Sequence, residues 1–275
     1  MEKWVMAVEP RLASAVMLLR DTSSGQGIEV FMVRRVIQSD FMPDVYVFPG
    51  GSVSKDDHAA ELVDGVCKPV VVSPGDPEGR TQLGSGARSA AIRELFEEAG
   101  ILLAYQDEKL LAIPEQEIGR YAEYRNAFNE RKGSLVEMAR AEHLTLATDL
   151  LDYFAHWITP EGMPKRFDTH FFLTTAPDEQ QAAHDRLETS EGIWISPTEA
   201  LARFERKEFP LVFATIHQLR ELAAFGSVQD ALASTTKQRV PTRIPVLKQE
   251  NGKTRVFLQE DVDNAWDVPE HMTRS

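Results

Sequence analysis

Short apolar runs separated by polar turns dominate the first fifty residues. Leu12–Leu19 is apolar, Arg20-Asp21 and a stretch with Gly25 and Gly27 interrupt it, and Glu29–Val33 resumes with Val30, Phe31, Met32 and Val33. The pattern predicts two adjacent strands or a β-hairpin. A loop containing Pro43 precedes a further strand, Val45-Tyr46-Val47-Phe48, which Pro49-Gly50-Gly51 ends sharply. The stretch to Ser85 is irregular and rich in Pro and Gly, predicting a loop-rich excursion with one short helix at His58–Val63. Ala87–Ala99 then reads as a strong helix closed by Gly100. Helices are predicted again at Glu117–Glu130, Ser134–Glu142 and Ala147–Ala155, before Pro160, Gly162 and Pro164 break the pattern. Strands follow at Thr169–Thr174 and Gly192–Ser196, with helices at Pro197–Phe204 and Leu211–Ala224. A hairpin of Arg243–Leu247 and Thr254–Leu258, turning at Asn251-Gly252, ends the chain. Mixed strands and helices give an α/β or α+β class with a helical insertion.

Composition narrows the setting. With 275 residues and 43% hydrophobic content, the chain can form one large domain or two small ones. Cys67 is the single cysteine, which excludes an internal disulfide and any multi-thiolate zinc site. No apolar run approaches the roughly 18 residues of a membrane helix. Met1–Pro10 carries Glu2 and Glu9 where a leader would be basic and then apolar. The expectation is a soluble, cytoplasmic protein without a membrane partner. A net charge of −13 disfavours nucleic acid but admits small phosphorylated substrates, provided a metal cation supplies positive charge.

The chemistry concentrates in Arg93-Glu94-Leu95-Phe96-Glu97-Glu98-Ala99-Gly100-Ile101. At roughly 100° per residue, Arg93, Glu97, Glu94 and Glu98 fall within about 140° of one another, opposite Ile92, Leu95, Phe96 and Ala99. Glutamates stacked at i, i+3 and i, i+4 repel. A cluster of hard oxygen ligands on one rigid helix suits Mg²⁺ or Mn²⁺, which would reverse that repulsion. Upstream, Phe48-Pro49-Gly50-Gly51 offers a turn at which Gly50 and Gly51 let the backbone approach a ligand closely.

Together these residues resemble the Nudix hydrolase signature, Gly-x5-Glu-x7-Arg-Glu-U-x-Glu-Glu-x-Gly-U, where U is bulky and aliphatic. Arg93, Glu94, Leu95, Glu97, Glu98, Gly100 and Ile101 match its C-terminal half. Gly51 and Arg93 are 42 positions apart (93 − 51) against 14 in the contiguous signature, so 28 residues are inserted. Counted back from Arg93, the first signature Glu is replaced by Ser85. An interrupted box of this kind is similar to the branch that includes peroxisomal coenzyme A diphosphatases and their bacterial relatives. Phe41-Met42-Pro43, Arg166-Phe167-Asp168-Thr169 before Phe171-Phe172, and Trp194-Ile195-Ser196-Pro197 add to the likeness. The terminal Met272-Thr273-Arg274-Ser275 lacks a peroxisomal Ser-Lys-Leu address, and Asp44 stands where the coenzyme A group commonly has Gly.

The resemblance implies an α/β/α sandwich with a mixed sheet over 1–240, insertions at about 54–84 and 115–155, and a tail at 241–275. It implies hydrolysis of a diphosphate linked to another moiety, with coenzyme A or acyl-CoA as the favoured substrate. ADP-ribose, NADH and dinucleoside polyphosphates stay open, as does a non-catalytic nucleotide-binding module. A prenyl diphosphate isomerase would need a catalytic Cys, for which Cys67 is a poor fit. Carried over, Glu97 and Glu98 are metal ligands with the Gly51 carbonyl as a third, and Glu94 is a ligand or the base. Arg93 orients the carboxylates. Glu188, six residues before Trp194, is the candidate for a carboxylate recruited from outside the box, with Glu191 second. Arg34, Arg35 and Gly50 are candidate substrate contacts. Cys67, His143, His156, His170, His184 and His217 read as structural or surface residues, and Phe171, Phe172 and Trp194 as core. The 115–155 helices either cap the site or build a homodimer interface.

Overall fold

In the computed structural model, which describes residues 8–37, 42–71, 74–185, 189–237 and 239–268, the first apolar run forms strand β1 (Arg11–Asp21). It is followed by β2 (Ile28–Arg35), β3 (Tyr46–Val47), β4 (Gly50–Ser52), α1 (Lys55–Leu62) and α2 (Ala87–Ala99). Next come β5 (Ala104–Gln106), β6 (Lys109–Leu110), α3 (Ile118–Asn129), α4 (Leu135–Ala141) and β7 (Leu144–Leu146). The chain re-enters the main sheet as β8 (Asp152–Ile158), β9 (Phe167–Thr175) and β10 (Thr189–Ile195). Helices α5 (Pro197–Glu205), α6 (Phe213–Leu222) and α7 (Val228–Ser234) lead to β11 (Thr242–Arg243), β12 (Val246–Glu250), β13 (Lys253–Leu258) and β14 (Asp261–Asp267).

The main sheet runs β10-β2-β1-β9-β8-β11, with β3 on β2 and β4 on β1. It is mixed: β1 and β9 are parallel, as are β8 and β11, and the other pairs are antiparallel. One edge of β1 is shared, because Ala13–Ala15 pair with β4 while Leu19–Asp21 pair with β2. The alternation of β1 sets two cores. Val16 and Leu18 face Ala87, Ala91 and Leu95 of α2, whereas Ala15, Met17 and Leu19 face Ala200, Ile216 and Ala231 of α5–α7. This is the α/β/α sandwich that the resemblance implied.

Local chemistry explains where the elements begin. Helix α1 starts before His58 because Ser54 and Asp57 form a reciprocal capping box, each side chain accepting the other's backbone N–H. Ser196 caps α5 by accepting from the Glu199 N–H, and Pro197 fills the first turn. The helix predicted at Ala147–Ala155 is absent: a 3₁₀ turn at Thr148–Leu150 gives way to β8. Aromatic and branched residues (Tyr153, Phe154, Trp157, Ile158) favour pairing with β9, through a bulge between Tyr153 and Ala155. At the far end, Asn251 (φ 52°) and Gly252 (φ 78°) turn β12 into β13. Val256 and Leu258 of β13 pack on Ala155, Trp157 and Phe213. Among the described residues no helix is long and apolar enough to cross a membrane.

Candidate active site

Arg93 is the hub of the acidic face of α2. Its Nε and Nη2 donate to Asp57 Oδ1 and Oδ2 at 2.9 Å each, and Nη1 donates to Glu94 Oε1 at 2.8 Å and Glu97 Oε1 at 2.9 Å. Nη2 also donates to the Ser52 carbonyl of β4. Burial alone would lower the Arg93 pKa, but the surrounding carboxylates outweigh it and hold the guanidinium firmly charged.

Asp57 shows that the first box carboxylate is present, although counting back from Arg93 lands on Ser85. Asp57 stands six positions after Gly51, the interval of the contiguous signature, so the insertion opens after it. The signal was in the sequence, read forward from the glycine. Glu61, also missed, closes the insertion from the same helix. Its carboxylate accepts the N–H groups of Gly84, Gly86, Arg88 and Ser89, capping α2 where Gly86 has no side chain to do so.

Gly51 must lack a side chain because a Cβ there would lie 2.3 Å from Glu94 Oε1 and 2.7 Å from Oε2. The Gly50 N–H donates to Glu98 Oε2 at 2.9 Å, tying β4 to α2 a second time. At the other end of α2, Gly100 (φ 71°) takes the left-handed cap conformation and leaves room for Arg125 of α3, whose Nε donates to the Glu97 carbonyl. Asp57, Glu94, Glu97 and Glu98 outnumber Arg93, leaving surplus negative charge in a largely buried place. Burial, reinforced by Glu97 and Asp57 against the pull of Arg93, pushes the Glu94 carboxyl up to about 7. Surplus charge on hard oxygens beside a glycine backbone fits a divalent cation.

These groups open onto a cavity of about 760 Å³. Gly50, Gly51, Arg93, Glu94 and Glu97 line it, whereas Glu98 does not. Arg35 lines it as well. Arg34 does not: its Nε donates to Asp44 at 2.8 Å and its guanidinium lies over the Tyr46 ring. Asp44 itself has φ 59°, the left-handed conformation that glycine adopts most readily. Glu191 Oε2 accepts from the Tyr46 hydroxyl at 2.6 Å, and burial together with that bond raises Tyr46 to about 12. Glu188 and Phe41 lie outside the described residues. Phe171, read as core, lines the cavity, while Phe172 is fully buried and Trp194 packs edge-on to Phe31 under Arg20. Phe128, Asn129, Arg131 and Gly133, at the end of α3 and the turn after it, form one wall, so the helical insertion walls the cavity.

A second polar cluster lies between β8 and β9. The His156 and His170 rings stack at 4.5 Å, and Asp168 completes a group of possible metal ligands. Arg80 Nη1 donates to His156 Nδ1, which leaves the ring proton on Nε2, shared with Asp168 at 2.5 Å. A metal would need that nitrogen's lone pair, so the cluster reads as a buried hydrogen-bond relay. Cys67 is also structural: it is buried against Ala60 and Ser89, and burial pushes its thiol up to about 11.

Residues 83–222, just over half of the chain, match the family model described as NUDT19 Nudix domain. The acyl-coenzyme A diphosphatase NUDT19 of Gallus gallus is 31% identical over 247 residues, covering 74% of this chain and 63% of its own length. That of Xenopus laevis is 23% identical over 288 residues, covering 92% of this chain and 76% of its own. The chain thus spans between 63% and 76% of the length of these two relatives. A NUDIX hydrolase from Alicyclobacillus acidocaldarius shares the fold, with a TM-score of 0.67 at 24% identity over 85% of this chain and 99% of that one. The sheet, the acid-bearing α2 and the family match agree, and the chain belongs to the Nudix family, in the group with the NUDT19 Nudix domain.

Proposed function

We propose that the chain is a metal-dependent diphosphatase that cleaves the diphosphate of coenzyme A or an acyl-CoA. The observation that carries this reading is the Arg93 network, which gathers Asp57, Glu94 and Glu97 beside Gly51 at the cavity wall. Two relatives named acyl-coenzyme A diphosphatase support the substrate.

Glu94, Glu97 and Glu98, with the Gly51 carbonyl, would hold Mg²⁺ or Mn²⁺. The chemistry such a cation supplies when bound is neutralisation of the diphosphate and acidification of water. Glu94 would take a proton from the attacking water or join the ligand set, a reading that its carboxyl, pushed up to about 7 by burial, supports. Arg93 is a positioning residue, since all its donors are spent on carboxylates and the Ser52 carbonyl. Arg35 and the Gly50 backbone would meet the substrate. Glu188 stays the first candidate for a carboxylate recruited from outside the box, with Glu191, which accepts from the Tyr46 hydroxyl, second.

The test is a hydrolysis screen in Mg²⁺ and in Mn²⁺ over coenzyme A, acyl-CoA, ADP-ribose, NADH and dinucleoside polyphosphates, with products separated by chromatography. The reading expects adenosine 3′,5′-bisphosphate and a 4′-phosphopantetheine product. Preferential cleavage of ADP-ribose or NADH would replace the substrate, and no cleavage of any member would replace the enzyme reading.

A further inference from the structure

We infer that the cavity holds a second anion subsite, formed by Arg11, Lys55 and Arg131, that takes a phosphomonoester on the ribose of the substrate. The inference rests on the diphosphatase reading and names the feature of the substrate that this chain selects.

The three cations come from segments far apart in sequence, and all three line the cavity. Arg11 opens β1, and the backbone pairs Leu12 O with Val53 N–H at 2.9 Å, setting the start of β1 against the turn before Lys55. Lys55 opens α1. The next residue, Asp56, accepts from the Ser134 hydroxyl at 2.8 Å and from the Leu135 N–H at 2.7 Å. Those bonds tie the start of α1 to the turn after α3, where Arg131 stands with φ 58°. One end of the cavity therefore collects three long cationic side chains.

Their lack of partners points to a ligand. Among the described residues, the side chains of Arg11, Lys55 and Arg131 have no hydrogen-bond acceptor or carboxylate, and all three are exposed. Arg20, Arg34, Arg80 and Arg203 each meet a carboxylate. Unpaired cations gathered at one cavity in a chain of net charge −13 stand out against that background. Asp56, the acid beside Lys55, turns its two oxygens to Ser134 and Leu135 and pairs with none of the three, so its single charge leaves a net positive balance among these four groups.

The charge needed is that of a monoester. The diphosphate falls to the glutamates and their cation, four residues away along the chain at Gly51, which is at most about 14 Å of backbone from Lys55. A phosphomonoester adds a charge of about −1.5 to −2 at pH 7 and three acceptor oxygens, which two guanidinium forks and an ammonium match. Coenzyme A carries that group at the ribose 3′ position and NADPH at the 2′ position. ADP-ribose and NADH carry none.

The experiment compares kcat/KM of the full chain with Mn²⁺ on coenzyme A against 3′-dephospho-CoA, and on NADPH against NADH. Wild type should favour the phosphorylated member of one pair by about tenfold or more, and the pair identifies the ribose position. In the triple variant Arg11→Gln, Lys55→Gln, Arg131→Gln, that ratio should fall towards one. Equal kcat/KM within both pairs, or a triple variant that lowers both members alike, overturns the subsite. Calorimetry keeps the two readings separable without turnover. Adenosine 3′,5′-bisphosphate and 2′,5′-bisphosphate should bind wild type unequally, with the tighter one weakened about tenfold in the variant. If binding behaves so and nothing is cleaved, the diphosphatase reading fails alone. If hydrolysis proceeds and neither bisphosphate responds to the variant, the subsite fails alone.

Discussion

Asp57 and Arg93, 36 residues apart, meet in a two-pronged ion pair with both N–O distances at 2.9 Å, and Asp57 is fully buried. The pair joins the two halves of a signature that the insertion has separated. It also fixes the guanidinium from which Glu94 and Glu97 take their orientation.

Asp57→Asn should therefore weaken both the fold and the reaction. Losing one partner of a buried pair costs about 3 kcal/mol, and Arg93 keeps its other acceptors, so the protein should still fold. Urea unfolding should show a lower midpoint, and kcat should fall. An unaltered midpoint would mean that the pair contributes nothing to the fold.

Glu97→Gln and Glu98→Gln keep side-chain size and one acceptor oxygen while removing a charge. Each should lower kcat by roughly 10²-fold or more with the circular dichroism spectrum retained. Each should also shift a Mn²⁺ titration to higher concentration. Wild-type turnover in both variants would remove these residues from the metal site.

Two glycines should separate activity from stability. Gly51→Ala places a methyl 2.3 Å from Glu94 Oε1, so Glu94 must move and hydrolysis should collapse with a modest cost of about 1–3 kcal/mol. Gly100→Ala strains a left-handed cap and crowds Arg125 at 3.0 Å, costing about 1–2 kcal/mol while the glutamates stay in place. Melting temperature and kcat measured side by side test the contrast, which fails if both variants lose the same property.

Acid should destabilise the fold through His170. Burial, with His156 adding to it, holds His170 neutral down to about pH 4, against an ordinary value of 6.5. The unfolded chain takes up that proton first, so stability should fall as pH drops from about 6.5 to 4, by on the order of 3 kcal/mol. Asp168 works in the same direction at lower pH. Burial pushes its carboxyl up, but the hydrogen bond from His156 prevails and holds it below the usual range. Melting curves across this window should slope less in His170→Gln. An equal slope would place the titrating group elsewhere.

Helix α2 was legible because its period, its acids and its terminal Gly100 are contiguous. The sandwich followed from the alternation in β1 and the resemblance. What escaped was non-local. Asp57 lies across an insertion from Arg93, so a count back along the chain lands on Ser85, and Ala147–Ala155 fits a helical run until β9 is there to pair with. The stacking of His156 on His170 depends on cross-strand register, which no spacing along the chain reveals. Arg11, Lys55 and Arg131 likewise share no motif and come to one cavity through the pairing of Leu12 with Val53 and of Asp56 with Ser134.

The detour between Asp57 and α2 is stitched at both mouths, by Asp57 on Arg93 and by Glu61 on the first turn of α2. A closed loop pinned in this way can grow cheaply, because each doubling of its length adds only about 0.6 kcal/mol of closure entropy. Relatives carrying longer excursions at this point should therefore keep the same reaction centre, and residues inserted at the exposed Pro77-Glu78 should leave turnover in place.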